Sequence, residues 1–217
     1  MSISPCAPSD EAIQRLLQHC HRRRYPSKAT IIKPGDAGDT LYYIVEGSCT
    51  VSMMNKDTGE DIVLAYLNRG EFIGEIGVFM GSMVRDVTVR TREASQLAEI
   101  GYSRLHHLLT ADLADQAIAI MGALGRQVSV RLLDTSRKVR SLALLDVSGR
   151  IAHALIELSK QPDAMTHPDG MQIRVTRQEL GRIVGCSREM AGRVLKNLED
   201  QGLVTVKGKT IVVLGTR

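Results

Sequence analysis

The 217-residue sequence has few cysteines, no long apolar run and no repeat of the collagen kind. Cys6, Cys20, Cys49 and Cys186 lie far apart with no C-x-x-C pair, which excludes a disulfide scaffold and fits a reducing compartment. The first residues carry no basic-then-apolar secretion pattern, so a cytoplasmic location is expected. No stretch reaches the ~20 apolar residues of a membrane span. Even Glu75 to Val84 is broken by Gly77, Gly81 and Ser82, and no membrane partner is expected. Catalytic signatures are missing as well: there is no Ser/His/Asp order, no paired-carboxylate setting and no phosphate-cradling G-x-x-x-x-G-K-[ST]. An enzyme is not expected.

What is present is the composition of an ordinary globular chain, 43% hydrophobic and 24% charged. At this length it divides most naturally into two small domains. The net charge of +4 is unevenly placed. Residues 1–138 hold 16 Lys+Arg against 16 Asp+Glu, whereas residues 139–217 hold 12 against 8. A basic excess confined to the C-terminal end is compatible with a polyanion-binding module or with a solvated surface.

A helix is expected over Glu11 to His21. Residues 30 to 100 then alternate β-branched and aromatic runs with glycines. Strands are predicted at Leu41–Val45, Cys49–Met53, Asp61–Tyr66, Val84–Thr91 and Gln96–Ile100, so residues 20 to 105 read as an antiparallel β-roll. From Asp112 to Arg140 the period becomes helical, with Ala117, Met121, Leu124, Val128, Leu132 and Thr135 at steps of three and four and no proline. A helix of about 40 Å is longer than a small roll needs, so one stripe is expected to meet a second copy; packing on its own roll alone is the alternative.

The last third reads as a helix (Asp146 to Lys160), a loop (Gln161 to Gly170), a strand (Gln172 to Val175), two short helices and a hairpin. Thr176 opens a T-x-x-E capping box, the helix Arg177 to Val184 ends at Gly185, and Ser187 caps Arg188 to Gln201. The turn Gly185-Cys186-Ser187 between them has the length of a helix-turn-helix turn. Leu203–Val206 and Thr210–Leu214, joined by Lys207-Gly208-Lys209, form the flanking wing.

On the second of these helices Glu189, Gly192, Arg193 and Lys196 share one face, with Arg188 at its edge and Val194, Leu195 and Leu198 opposite. Arginine can contact guanine O6 and N7 in bidentate fashion, glutamate can accept from cytosine N4, and lysine can reach a phosphate. Gly192 is expected to leave room for the helix to sit deep. The competing interpretation is a surface Glu189–Arg193 pair worth about 0.3–0.5 kcal/mol; the capped two-helix frame with its wing favours DNA.

The run Arg177-Gln-Glu-Leu-Gly-Arg-Ile-Val-Gly-Cys-Ser-Arg-Glu-Met-Ala-Gly-Arg-Val-Leu-Lys196 resembles the helix-turn-helix of the cyclic AMP receptor protein (CRP/FNR) family. His19–His21, Tyr25–Lys28, Thr40–Val45, Gly74-Glu75, Leu145–Val147, Gln161–Gln172 and Gly208–Val213 extend the resemblance over nearly the whole chain. It implies an α+β architecture: an effector-binding, jelly-roll type β-roll over 1–110, a dimerisation helix over 111–140 and a winged helix-turn-helix over 141–217. It implies that Arg188, Glu189 and Arg193 read base edges while Thr176, Arg177, Ser187 and Lys196 hold phosphates. A two-fold dimer then calls for a palindromic operator with half-sites about one helical turn apart. Ala164, Met165, Thr166, His167, Pro168, Asp169 and Gly170 match a surface with which relatives touch RNA polymerase. His21 and Arg23 lie where a second such contact sits, which implies activation; a plain polar linker is the alternative for the loop.

For the effector, the resemblance implies a site of Gly74, Glu75, Arg85, Thr135 and Ser136, taking the ribose, cyclic phosphate and base of cyclic AMP. The residue after Arg85 departs from that pattern: a serine hydroxyl is replaced by Asp86, an acceptor-only anion. Two unit negative charges ~5 Å apart at an effective dielectric of ~20 repel by roughly 3 kcal/mol, about a hundredfold in affinity. A carboxylate can instead accept from guanine N1–H and N2–H. A branch of the family with arginine followed by an acidic residue is regulated by cyclic di-GMP, which opposes DNA binding. Cyclic di-GMP is therefore the leading effector, with cyclic AMP and no nucleotide as alternatives; in the last case an Asp86–Arg85 ion pair holds the site shut. No covalently bound cofactor is expected. His19-Cys20-His21 does not make a metal site, because residues two apart on a helix face different sides. Cys6 and Cys20 do not supply an iron-sulfur cluster, and His106 and His107 are poorly placed for haem.

Overall fold

A computed structural model describes residues 10–54, 61–81, 83–161 and 163–216; Cys6, Ser82 and Pro162 lie outside them. The chain forms two compact units. Of the described residues, 10–54 and 63–134 belong to the first, and 61–62 and 135–216 to the second.

In the first unit, helix α1 (Asp10–Gln18) buries Ala12, Ile13, Leu16 and Leu17. It ends before the expected His21, because His21–Tyr25 form strand β1, which pairs antiparallel with Ser95–Glu99. Ladder pairing across the fold overrides the local helical pattern there. There follow β2 (Thr30–Ile32), β3 (Ala37–Gly38), β4 (Thr40–Glu46), β5 (Ser48–Met54), β6 (Asp61–Asn68), β7 (Phe72–Ile73), helix α2 (Glu75–Met80), β8 (Met83–Val84), β9 (Thr88–Thr91) and β10 (Ser95–Gly101). Two four-stranded sheets result, in the orders β1-β10-β4-β7 and β2-β9-β5-β6, with β3-β8 as a separate pair. Ile32, Ile44, Cys49, Leu67, Ile73, Val89 and Leu97 form one apolar cluster of this roll.

The single strand expected over Val84–Thr91 is interrupted. Arg85 leaves the ladder, its N–H donating to Asp36 O at 2.9 Å and its carbonyl accepting from Gly35 N at 2.8 Å. Helix α2 falls where no helix was expected. So does α3 (Tyr102–Thr110), which begins after Gly101 without a side-chain cap. The long helix α4 (Ala117–Leu144) starts later than Asp112, because Leu113 N–H closes back on Leu108 O and Ala114–Gln116 form one 3-10 turn. It buries Ile120, Ala123 and Leu124 against α1 and α3 residues in a second cluster of the unit.

In the second unit, Asp146 caps α5 (Val147–Ser159) by accepting from Gly149 N at 2.8 Å. Next come β11 (Met165–His167), β12 (Gly170–Arg174), α6 (Arg177–Val184), α7 (Arg188–Asp200), β13 (Val204–Lys207) and β14 (Thr210–Leu214), with sheet order β11-β12-β14-β13. The expected loop over 161–170 is thus partly a strand: Met165–His167 pair with Gln172–Gly170 around a tight turn at Pro168-Asp169. Ile151, Leu155, Leu180, Ala191, Leu195 and Ile211 centre its core.

Candidate functional site

The cassette expected to take the effector is built at the end of β7. Gly74 leaves the strand with φ 89°, a left-handed conformation that favours glycine, and opens α2. Glu75 is only 2% exposed, and its carboxylate pairs with the Arg131 guanidinium from α4. Arg85 Nη2 donates to Thr40 O at 2.6 Å and to the Tyr102 hydroxyl at 3.1 Å, and Tyr102 donates in turn to Gly74 O at 2.6 Å. Burial raises the Tyr102 phenol above its ordinary pKa, with Arg85 opposing, so it remains a donor. Arg85 Nη1 and Nε have no partner among the described residues and stay open to an anion. The guanidinium is thus held from one side and free on the other.

Asp86 is exposed, and among the described residues it makes no ion pair with Arg85, so the closed site of the ligand-free alternative is not formed. Thr135 and Ser136 are exposed residues of α4 and belong to the second unit. Tyr102, Thr40 and Arg131 escaped sequence reasoning, since nothing local marks a tyrosine that lies over the cassette. Gly77 leaves the space for it: a Cβ there would stand 2.4 Å from the Tyr102 hydroxyl oxygen and 2.6 Å from Cε2.

In the second unit, both helix caps are as expected. Thr176 Oγ1 accepts from Glu179 N at 3.1 Å and Ser187 Oγ accepts from Met190 N at 3.2 Å. Gly185 turns with φ 71°, and a Cβ on Gly181 would stand 2.5 Å from Cys186 O, so the two helices meet where only glycine fits. Arg188, Glu189, Arg193 and Lys196 are exposed on α7, while Ala191, Val194, Leu195 and Leu198 are buried. Glu189 is held below its ordinary pKa, first by its own backbone N–H, then by the Ser187 hydroxyl and the charges of Arg188 and Arg193; it is an acceptor at neutral pH. The space over Gly192 is not empty as expected. A Cβ there would stand 3.4 Å from Arg177 Cδ, so the Arg177 stem lies on the face of α7 expected to read bases. Lys207 and Lys209 are exposed in the turn of the wing.

Of the residues matched to a polymerase contact, Met165, Thr166, Pro168 and Asp169 are exposed, and Ala164 and His167 are half-buried. Gly170 is buried, with a Cβ position that would strike Val213 O, so it shapes the hairpin and presents no surface. His21 and Arg23 are exposed on one face of β1, the Arg23 guanidinium 5.2 Å from the Tyr25 ring centre. Cys20 donates to Leu16 O, and burial pushes its thiol up to about 11, the opposite of a metal-ready thiolate.

Residues 22–112 match the cyclic nucleotide-binding domain family, and residues 149–216 match the Crp-like helix-turn-helix domain. The chain is 52% identical over 213 residues to the cAMP-activated global transcriptional regulator Vfr of Pseudomonas aeruginosa, covering 97% of each chain. It is 52% identical over 205 residues to the CRP-like protein Clp of Xanthomonas campestris pv. campestris, covering 94% of this chain and 89% of that one. The chain belongs to the cyclic AMP receptor protein family. It is a DNA-binding transcription regulator with a cyclic nucleotide-binding domain, and its relatives are regulators rather than enzymes. A solved structure of the c-di-GMP responsive global regulator CLP of Xanthomonas campestris superposes with a TM-score of 0.91 at 50% identity, covering 96% of this chain and 100% of that chain. A regulator of the same family from Thermus thermophilus shares the fold at a TM-score of 0.74 and 23% identity. Among the described residues no single helix is long and apolar enough to cross a membrane.

Proposed function

We propose that the protein is a cytoplasmic homodimeric regulator, with no catalytic activity, whose binding to a palindromic operator is controlled by cyclic di-GMP rather than cyclic AMP. The observation that carries the effector is the pair Arg85 and Asp86. The arginine keeps Nη1 and Nε for a phosphate, while the adjoining exposed carboxylate repels a second anion and can accept from a guanine edge. The likeness to a regulator described as c-di-GMP responsive supports the same choice. Residues 1–110 serve the effector, 111–140 the dimer and 141–217 the DNA. Ile118, Leu132 and Val139, exposed by 90%, 66% and 60%, recur at heptad spacing along α4 and suit a second copy of the helix.

In this reading Arg188, Glu189 and Arg193 read bases, and Thr176, Arg177, Ser187 and Lys196 hold phosphates. The hairpin around Pro168 and Asp169, together with His21 and Arg23, touches RNA polymerase, which makes the protein an activator. Cyclic AMP is the second reading, favoured by Glu75, Arg85, Thr135 and Ser136 and by the likeness to Vfr. Side-by-side calorimetric titration with the two nucleotides decides between them, with a gel shift on a palindromic duplex carrying 5'-TGTGA-like arms. Cyclic di-GMP binding that alters the shift supports the proposal; tight cyclic AMP binding with Asp86 in place defeats it. Absence of any specific complex would leave a nucleotide-binding module.

A further inference from the structure

The outer edge of β7 is closed by a side chain. In the order β1-β10-β4-β7 this strand is terminal, and Phe72 lies opposite Tyr43 with its N–H and carbonyl turned away from β4. An edge residue so placed needs two partners. Gln127, 55 residues further along on α4, supplies both: Phe72 N–H donates to Oε1 at 2.7 Å and Nε2 donates to Phe72 O at 2.9 Å. One turn further along the same helix, Arg131 Nη2 donates to the same carbonyl at 2.6 Å while Nη1 pairs with Glu75. The Phe72 ring is itself buried in the cluster that contains Ile120 and Leu124 of α4. The segment from Phe72 to Glu75 is therefore bound to α4 at both ends, and Gly74 between them carries the contact with Arg85.

We propose that Gln127 is a positioning residue that couples the effector cassette to the long helix by standing in for a missing β-strand. The inference rests on the nucleotide-regulated reading above. A ligand that draws the Glu75 carboxylate from Arg131 Nη1 leaves Phe72 held by Gln127 at its amide and by Gln127 and Arg131 Nη2 at its carbonyl. Movement of the cassette is then transmitted to α4 rather than absorbed in a loose strand end. Gln127 need not touch the nucleotide.

The test uses the full chain carrying Gln127→Leu, which removes both hydrogen bonds at similar volume, and Gln127→Glu, which keeps the acceptor for Phe72 N–H and loses the donor to Phe72 O. DNA affinity is measured with and without cyclic di-GMP, and separately with and without cyclic AMP. In Gln127→Leu the ratio of the two DNA affinities moves toward one by about tenfold, the worth of two net hydrogen bonds, while nucleotide affinity changes far less. Gln127→Glu lies between, and it decides the matter if the leucine variant does not fold. An unchanged ratio overturns the proposal, as does equal loss of nucleotide and DNA affinity in step with melting temperature. If the wild-type chain responds to neither nucleotide, it is the regulated reading that fails, and amide exchange then judges the coupling alone. Faster exchange through residues 72–80 together with the α4 turns beyond 131 upholds it, whereas change confined to Phe72 overturns it.

Discussion

Arg85 and Gly74 are packed so closely that a Cβ on Gly74 would stand 2.9 Å from Nη2 and 3.0 Å from Nη1 of the guanidinium. The same Cβ would lie 2.8 Å from Thr40 O, on a residue whose φ is already 89°. Gly74→Ala is expected to weaken nucleotide binding by about a hundredfold through displacement of Arg85, and to lower stability by about 1–3 kcal/mol through backbone strain. Calorimetric titration and a urea melt on one preparation check both numbers.

Asp86→Ser removes the exposed anion beside Arg85 and restores a hydroxyl donor. Cyclic AMP affinity is expected to rise by up to about a hundredfold, and cyclic di-GMP affinity to fall. Titration of wild type and variant at two salt concentrations checks this, since a charge effect shrinks as salt rises. Equal affinities in the two proteins would remove Asp86 from effector choice.

On the DNA side, Glu189→Ala should relax discrimination at one base position by about 1–3 kcal/mol, whereas Lys196→Ala should weaken all duplexes alike and reduce the salt slope by about one. Competition between single-base operator variants separates the two. Uniform loss for both substitutions would argue against base readout by Glu189.

Leu132→Glu with Val139→Glu places charge on the exposed apolar stripe of α4, at residues that contribute nothing to the buried cores. The monomer is expected to melt close to wild type and to lose operator affinity by several orders of magnitude, because each half-site is then bound alone. Sedimentation reports the mass. A doubly substituted chain that remains dimeric would relocate the interface.

Cys49 is fully buried, and that burial pushes its thiol from about 9 up to about 12. A raised folded value stabilises the fold fully below the ordinary thiol pKa, and this stabilisation is lost as pH climbs from about 9 toward about 12. Wild type should therefore lose stability up to about 1.4 kcal/mol per pH unit more steeply than Cys49→Ala across that window. Urea melts on the alkaline side of neutrality measure the slopes, which should coincide at neutral pH.

The helix-turn-helix was legible because its limits are local: Thr176 and Ser187 cap, Gly185 turns, and the helix Arg177–Val184 falls where those residues put it. The cassette was legible only as residue types. Glu75–Met80 is a six-residue apolar helix with no side-chain cap, and by pattern it resembles a strand. Arg85 reads as part of a strand until its backbone is seen bonded to Gly35 and Asp36. The Gln127–Phe72 contact joins residues 55 positions apart, and no spacing rule reaches that far. The local pattern carries the first helix on to His21 for the same reason, since its strand partner Glu99 lies near the other end of the roll.

A terminal strand with bare polar groups invites a foreign chain to add itself, which is how soluble sheets begin to stack into fibres. With the Phe72 amide and carbonyl both taken by Gln127, β7 offers no template at that residue. The glutamine that binds the sheet to its helix thereby denies an incoming strand a pair of hydrogen bonds at Phe72.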